Sequence, residues 1–399
     1  MQYREIPKTG EKLSILGYGC MRFQTKFGKI DVETAKSQVL QAIDDGVNYL
    51  DTAWFYHVGE SENFLGKHIL IDGYREKVNI ATKMPCFLVN KTSQFEEIFE
   101  KQRKKLNVDV IDYYLLHTLD GRTFDKMVDL GIIDFMNNLK SSGRIRNMGF
   151  SFHSSYEDFE HIINSYDWDF CQVQFNILDE NYQAGIRGIN LAHQMGLGVF
   201  IMEPLRGGSL VGKIPKEVQK LYDTADIKRQ PADWMLRWVF DHNQVTMVLS
   251  GMNSQSQVKE NIETATNSLP NSMTDKEKSI ISNVRDTYNK LMLVKCTGCE
   301  YCLPCPAGID IPNAFKALNN KSMFKSRLSD IFYLKSVGIN YDGDKPSWAS
   351  TCIGCGKCEK ACPQHIEIRK NLKLVHKNLE TPIYLTGTKI AAKFMRKNR

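Results

Sequence analysis

From Leu16 onward the chain alternates short apolar runs with longer stretches in which apolar positions return every third or fourth residue. Strands are predicted near 16–21, 47–51, 78–83, 110–117, 145–150, 170–176, 198–203 and 247–250. Helices are predicted near 31–45, 61–70, 93–106, 125–142, 155–165, 184–195, 231–242 and 256–266, one after each strand. Eight such repeats predict an α/β fold, a (β/α)8 barrel rather than an open sheet. Ahead of them, residues 4–16 read as a hairpin turning at Lys8-Thr9-Gly10. Past about Ser272 the pattern changes to a helix near 274–292 and then to a cysteine-rich, mainly helical segment. The expected layout is a barrel over 1–270, a connecting helix over 271–295 and a small C-terminal domain over 296–399.

Three predicted strands end on a polar residue, as barrel strands do where they face a catalytic mouth. Asp51 ends the run of Tyr49-Leu50, Lys83 closes VNIATK and His117 closes VIDYYLLH. Tyr56 follows Asp51 in an aromatic loop, and a helix begins at Ser61, whose hydroxyl can cap it. Singly, each has a bland reading: a solvated phenol, a surface lysine, a core histidine. Together on one edge, the four are hard to read as packing. Gly17-Tyr18-Gly19 lacks a third glycine and does not lead directly into a helix, which argues against a Rossmann phosphate loop.

The stretch DTAWFYHVGESENFLG resembles the DTAxxYGxGxSExxLG signature of the aldo-keto reductases, with His57 where Gly is usual. The resemblance runs from about Tyr3 to about Thr266 and implies a TIM barrel that binds NADP(H) or NAD(H) and reduces a small carbonyl, or oxidises an alcohol in reverse. It assigns catalysis to Asp51, Tyr56, Lys83 and His117. Ser151 and Gln172 match residues that hold the nicotinamide carboxamide, while Phe152 and Met202 replace an Asn and a stacking aromatic. Leu205 and Gly207, in Pro204-Leu205-Arg206-Gly207-Gly208, match the loop over the pyrophosphate, and Glu260 and Asn261 match an adenine-contacting pair. Gln257 and Gly251 stand where Arg and Lys often read a 2′-phosphate, so these positions leave NADPH against NADH open. In this chemistry Tyr56 would donate the proton, Lys83 would lower its pKa from about 10, Asp51 would hold Lys83, and His117 would orient the substrate oxygen. Trp54, Phe55 and His57 offer an aromatic lining that suits many small carbonyls.

Eight of the eleven cysteines fall in two runs. Cys296, Cys299, Cys302 and Cys305 are followed by Pro306, and Cys352, Cys355, Cys358 and Cys362 by Pro363. The second run matches C-x2-C-x2-C-x3-C-P, whose fourth cysteine serves the other cluster in two-cluster ferredoxins. Two [4Fe–4S] clusters are expected, with Cys305 and Cys362 exchanged between runs; paired zinc sites are the alternative. The first run is one residue short before Cys305, which makes that ligand the least regular. Cys20, Cys86 and Cys171 read as small core or surface residues.

Charge adds one feature. Residues 366–399 carry nine Lys and Arg against two Asp and Glu, so the chain's +6 sits in its tail. With few aromatics there and no helix-turn-helix or RNP pattern, a docking surface for a ferredoxin or flavoprotein is expected rather than nucleic-acid binding. No apolar run approaches a membrane span and the N-terminus lacks a signal-type apolar core, which predicts a soluble, cytoplasmic protein. The competing reading is a barrel that senses nucleotide without turnover, beside structural clusters.

Overall fold

The structure, a computed structural model, describes the chain apart from residues 297, 299–301, 326–327, 335–336, 338–346, 363, 383–384 and 387–399. The expected hairpin forms as β1 (Tyr3–Glu5) paired antiparallel with β2 (Lys12–Ser14). Gly10 takes φ +72° in its turn, and its N–H donates to the Ile6 carbonyl at 2.9 Å. Next come β3 (Leu16–Gly19) and a short ribbon of β4 (Thr25–Lys26) and β5 (Lys29–Ile30).

The eight apolar runs close into one parallel barrel: β3, β6 (Tyr49–Asp51), β7 (Asn79–Met84), β8 (Ile111–Leu119), β9 (Ile145–Phe152), β10 (Phe170–Gln174), β11 (Gly198–Met202) and β12 (Met247–Ser250), with β12 closing on β3. Neighbours are sequential throughout, as right-handed βα crossovers require. Tyr49, Tyr113, Phe170 and Phe200 fill the interior with ring contacts of 4.9–5.8 Å. Ile6 and Leu13 from the hairpin belong to the same buried cluster, so that end is plugged and chemistry is left to the C-terminal mouth. Gly149 makes the interior packing possible, because a Cβ there would lie 2.4 Å from the Phe170 carbonyl oxygen.

Outside the strands lie α1 (Val32–Asp44), α2 (Ser61–His68), α3 (Ser93–Leu106), α4 (Gly121–Asp129), α5 (Ile132–Ser141), α6 (Tyr156–Ser165) and α7 (Gly185–Gln194). After α8 (Lys216–Tyr222) the ring is completed by α9 (Pro231–Asp241) and α10 (Gln255–Thr266). The single helix expected over 125–142 is two, because Gly131 adopts φ +86° between them. Asp120 caps the first by accepting from the Thr123 N–H at 2.6 Å.

Two compact units emerge: Met1–Gly208 with Ile227–Ile281, and Ser209–Asp226 with Ser282–Arg399. Helix α11 (Asp275–Leu291) runs from one into the other. The second unit also holds α12 (Ile311–Phe324), α13 (Leu328–Tyr333), α14 (Lys357–Ala361) and α15 (Ile368–Leu379) around a core that includes Phe315, Leu318, Leu372 and Val375. Asn319 ties the approach to the first cysteine run into this core: its Nδ2 donates to the Val294 carbonyl at 2.6 Å and its Oδ1 accepts from the Val294 N–H at 2.9 Å. Among the described residues no helix is long and apolar enough to cross a membrane.

Candidate active site

The four candidate residues meet at the mouth of the barrel. Asp51 ends β6, Lys83 sits in β7, His117 in β8, and Tyr56 opens the 3-10 turn Tyr56–Gly59 that follows β6. Lys83 Nζ donates to Asp51 Oδ1 at 2.7 Å and to the Thr52 carbonyl at 2.8 Å, with both partners of the ion pair buried. The same Nζ lies 5.1 Å from the centroid of the Tyr56 ring, which meets the His117 ring edge-on at 6.3 Å. Asp51 Oδ2 and His117 Nδ1 are buried and, among the described residues, have no hydrogen-bond partner. Such atoms cost stability unless a bound group satisfies them.

Electrostatics sort the four by state. Burial, with Lys83 nearby, pushes the His117 imidazole down to about 3, so it is neutral and carries one ring N–H. Burial pushes the Asp51 carboxyl up, against the pull of Lys83. For Tyr56 the expected depression by Lys83 is not what the structure shows: burial and then Asp51 push the phenol well above its usual value, and the opposing cation is Arg22. The charge of Lys83 is taken up by Asp51 in the ion pair, and the burial of the phenol is left unopposed by it.

Below the pair, Gln102 Nε2 donates to the Lys83 carbonyl at 2.9 Å and to Glu62 Oε1 at 2.8 Å, and Thr82 Oγ1 donates to the same Glu62 oxygen at 2.7 Å. Glu62 is the acidic residue of the quoted signature, here a buried strut. Ser61 does not cap α2 as expected. Its hydroxyl donates to the Cys20 carbonyl at 3.1 Å and accepts from Thr52 Oγ1 at 2.8 Å, tying the ends of β3 and β6 together.

His57 adopts φ +53° and Val58 φ +58°, a left-handed pair that explains why glycine suits this part of the signature. His57 is held by stacking on Phe23 at 5.3 Å, and its Nε2 accepts from the Phe23 N–H at 3.1 Å. Trp54 is half-buried beneath Lys105 Nζ, 4.3 Å from its ring, and Phe55 is exposed, stacked on Phe87 at 5.0 Å.

Ser151, at the end of β9, accepts from the Thr118 N–H at 2.8 Å. Gln172 in β10 pairs in register with Ser151, and its Oε1 is buried with no donor while its Nε2 lies 3.8 Å from Met202 Sδ. A buried amide oxygen with no donor among the described residues fits the N–H of a carboxamide such as that of nicotinamide. Leu205 is half-buried, and Gly207 is exposed at φ +65°. Asn261 is turned inward, its Nδ2 donating to Ser250 Oγ at 3.0 Å, whereas Glu260 is exposed. Arg22 escaped sequence reading: a Cβ at Gly251 would meet its stem at 3.1 Å and one at Gly207 its Nη2 at 3.0 Å. The only signal was an arginine just past the first strand.

In the C-terminal unit Cys358 and Cys362 are buried, Cys296, Cys302, Cys305 and Cys352 are half-buried against the same core, and Cys355 is exposed. Cys299 and Pro363 lie outside the described residues. None of the described cysteines is in a disulfide, and among the described residues no three ligand-type side chains converge tightly enough to hold a single metal ion. Cys305 stands near enough to Cys358 to add to the upward push that burial gives the Cys358 thiol. Reduced thiols from both runs packed against one core fit soft-ligand clusters.

The family model described as aldo/keto reductase family matches residues 15–282, more than half of the chain. The chain belongs to the aldo/keto reductase family. A 4Fe-4S dicluster domain matches residues 295–367, so this aldo/keto reductase carries a ferredoxin-type domain at its C-terminal side. Among curated relatives it is 24% identical to the NADH-specific methylglyoxal reductase of Escherichia coli over 283 residues, 59% of this chain and 83% of that one. L-galactose dehydrogenase of Arabidopsis thaliana is 23% identical, over 67% of this chain and 88% of that protein. Aldo-keto reductase AKR11C1 from Bacillus halodurans, in its holo form, superposes with a TM-score of 0.60 at 25% identity, covering 71% of this chain and 96% of that one. An aldo-keto reductase from Klebsiella pneumoniae solved with NADPH shares the fold at 20% identity and a TM-score of 0.57, over 71% of this chain and 96% of its own.

Proposed function

We propose that the barrel reduces a small carbonyl compound with NADH or NADPH, or oxidises the alcohol in reverse, and that the C-terminal domain holds two [4Fe–4S] clusters that exchange electrons with a ferredoxin or flavoprotein in the cytoplasm. The observation that carries the reading is the convergence of Asp51, Tyr56, Lys83 and His117 on one mouth. The names of the relatives point the same way, joining NADH to methylglyoxal in one case and NADPH to a shared fold in another.

Bound nicotinamide would supply the hydride, leaving the negative charge on the carbonyl oxygen for the protein to manage. Tyr56 would give its hydroxyl proton to that oxygen, and His117, neutral at working pH, would donate a hydrogen bond to it. Asp51 would keep Lys83 in place beside the Tyr56 ring. Gln172 Oε1 and Ser151 would receive the carboxamide, Leu205 and Gly207 would run along the pyrophosphate, and the adenine would lie at Glu260 and Asn261, with Glu260 exposed and Asn261 held inward by Ser250. Cys296, Cys299 and Cys302 with Cys362 would hold one cluster, and Cys352, Cys355 and Cys358 with Cys305 the other; the proximity of Cys305 to Cys358 supports the crossing. A hydride carries two electrons and each cluster takes one, so a flavoprotein that handles both is a suitable partner.

The test is Tyr56→Phe. Loss of about 10²–10⁴ in NAD(P)H-dependent carbonyl reduction is expected, with nucleotide affinity nearly unchanged by fluorescence titration. Retention of more than about a tenth of the rate would remove Tyr56 as proton donor.

A further inference from the structure

Helix α15 is amphipathic: Ile368, Leu372, Val375 and Leu379 are buried, while Arg369, Lys370, Lys373, His376 and Lys377 are exposed. Its start is tied to α14, because the Arg369 N–H and Nε each donate to Glu359 at 2.8 Å. Arg369 Nη1 also donates to the Gly354 carbonyl at 3.4 Å and its guanidinium lies over Gly356, so the basic helix abuts the second cysteine run. A cleft of about 580 Å³ there is lined by Cys352, Gly354, Arg369, Lys370, Lys373 and His376, among others. Next to Cys352 and Gly354 in the chain, Ile353 is 68% exposed, and Cys355 is exposed as well. Between Cys352 and Leu379 the chain holds six Lys and Arg against two Asp and Glu. Glu359 is paired with Arg369 and Glu367 with Lys370, leaving Lys357, Lys360, Lys373 and Lys377 in no ion pair among the described residues.

We infer that this α14–α15 face, together with the exposed Ile353 and Cys355 that lead into α14, is the docking surface for a small acidic electron-carrier protein. Uncommitted cations on helices beside a cysteine run, with an exposed apolar residue next to them in the chain, are the complement of a carrier whose acidic residues surround its redox centre. The inference rests on the electron-transfer reading above and narrows it, because it places recognition on the helices beside the second cysteine run rather than on the basic residues of 387–399. Electrostatic steering by such cations acts over about a Debye length, so association should weaken with salt.

The experiment uses the full chain with its clusters and an oxidised, acidic two-cluster ferredoxin as probe, with affinity and association rate read by biolayer interferometry over a salt series. Lys360→Glu/Lys373→Glu/Lys377→Glu is expected to weaken binding about tenfold or more and to flatten its salt dependence. Its iron content and dithionite-reduced electron paramagnetic resonance signal should match the unsubstituted chain, showing that the domain is intact. Neutralising Lys389, Lys393, Arg396, Lys397 and Arg399 to Gln should change little. Equal binding by the α14–α15 variant, or an equal loss from the tail variant, overturns the assignment of the face. If the unsubstituted chain binds no ferredoxin and exchanges no electrons with ferredoxin or flavodoxin, the electron-transfer reading itself falls and the face with it. Salt-sensitive capture of a DNA duplex by the face, with ferredoxin binding unaltered in the variant, would assign these cations to another partner and also overturn it.

Discussion

Lys83 and Asp51 form a buried ion pair of 2.7 Å in which one carboxylate oxygen, Asp51 Oδ2, has no hydrogen-bond partner. The pair is therefore poised rather than fully satisfied, which suits a mouth completed by ligand. Removing one member strands the other charge away from water. Lys83→Met is expected to lower stability by about 3–5 kcal/mol, whereas Lys83→Met/Asp51→Asn should recover more than half of that loss. Urea unfolding of the two variants checks this; a Lys83→Met protein as stable as the parent would show that Asp51 carries no charge in need of Lys83.

His117 gives a pH signature. Its imidazole is held at about 3, below the usual 6.5, so the unfolded chain binds a proton that the folded one refuses. Between those values the unfolded state carries more protons, and stability rises with pH, is complete above about 6.5 and falls away as acid is added. His117→Gln should flatten this slope between about pH 4 and 6.5. In ring NMR, the His117 signal should not titrate above about pH 4; a midpoint near 6 would contradict the burial that sets it.

Much of the barrel was legible because period and strand count are local properties. The run ending at Asp51 and the run ending at Lys83 each marked a strand and a mouth residue at once. Other features were hidden because they depend on distant partners. Arg22 gains meaning only when Gly207 and Gly251 close around it. Nor does the chain alone show that Lys105 lies over the Trp54 ring or that the Phe23 N–H donates to His57. The upward push on Tyr56 could not be read either, since it follows from burial and from Lys83 being neutralised within its pair.

Gly66 shows how a signature residue can be packing rather than chemistry. It lies in α2, and a Cβ there would fall 2.2 Å from the Lys105 carbonyl oxygen and 2.7 Å from that of Leu106, backbone atoms that cannot swing aside. Ala would raise helix propensity by about 1 kcal/mol, yet overpacking of this kind costs about 1–3 kcal/mol or more. Gly66→Ala should therefore lower the melting temperature despite the better helix former. An unchanged or higher melting temperature would mean that α2 and α3 are free to separate.

The cysteine-rich unit rests on a buried carboxylate, and this yields the last prediction. Glu380 follows α15 and accepts from the Ala349 N–H at 2.6 Å, from the Ser350 N–H at 3.1 Å and from the Tyr333 hydroxyl, with His376 Nδ1 2.8 Å from its Oε2. Burial opposes the charge, but these donors together hold the carboxyl below its usual range. The turn it grips, Ala349–Thr351, leads directly into Cys352, so Glu380 fixes where the second cysteine run begins. Glu380→Gln keeps one acceptor but sets an amide N–H2 against the Ser350 N–H or the Ala349 N–H, a donor facing a donor. Hydrogen bonds to a charged group are worth about 1.5–3 kcal/mol, and an unsatisfied buried donor adds to the loss. If the unit holds two clusters, the anaerobically prepared parent should contain about eight iron and eight sulfide per chain. Glu380→Gln should release iron to a chelator faster and be cut sooner by protease near residue 350, while its nucleotide affinity stays that of the parent. Parent-like iron release and proteolysis in the variant would show that the turn before Cys352 is held by other contacts.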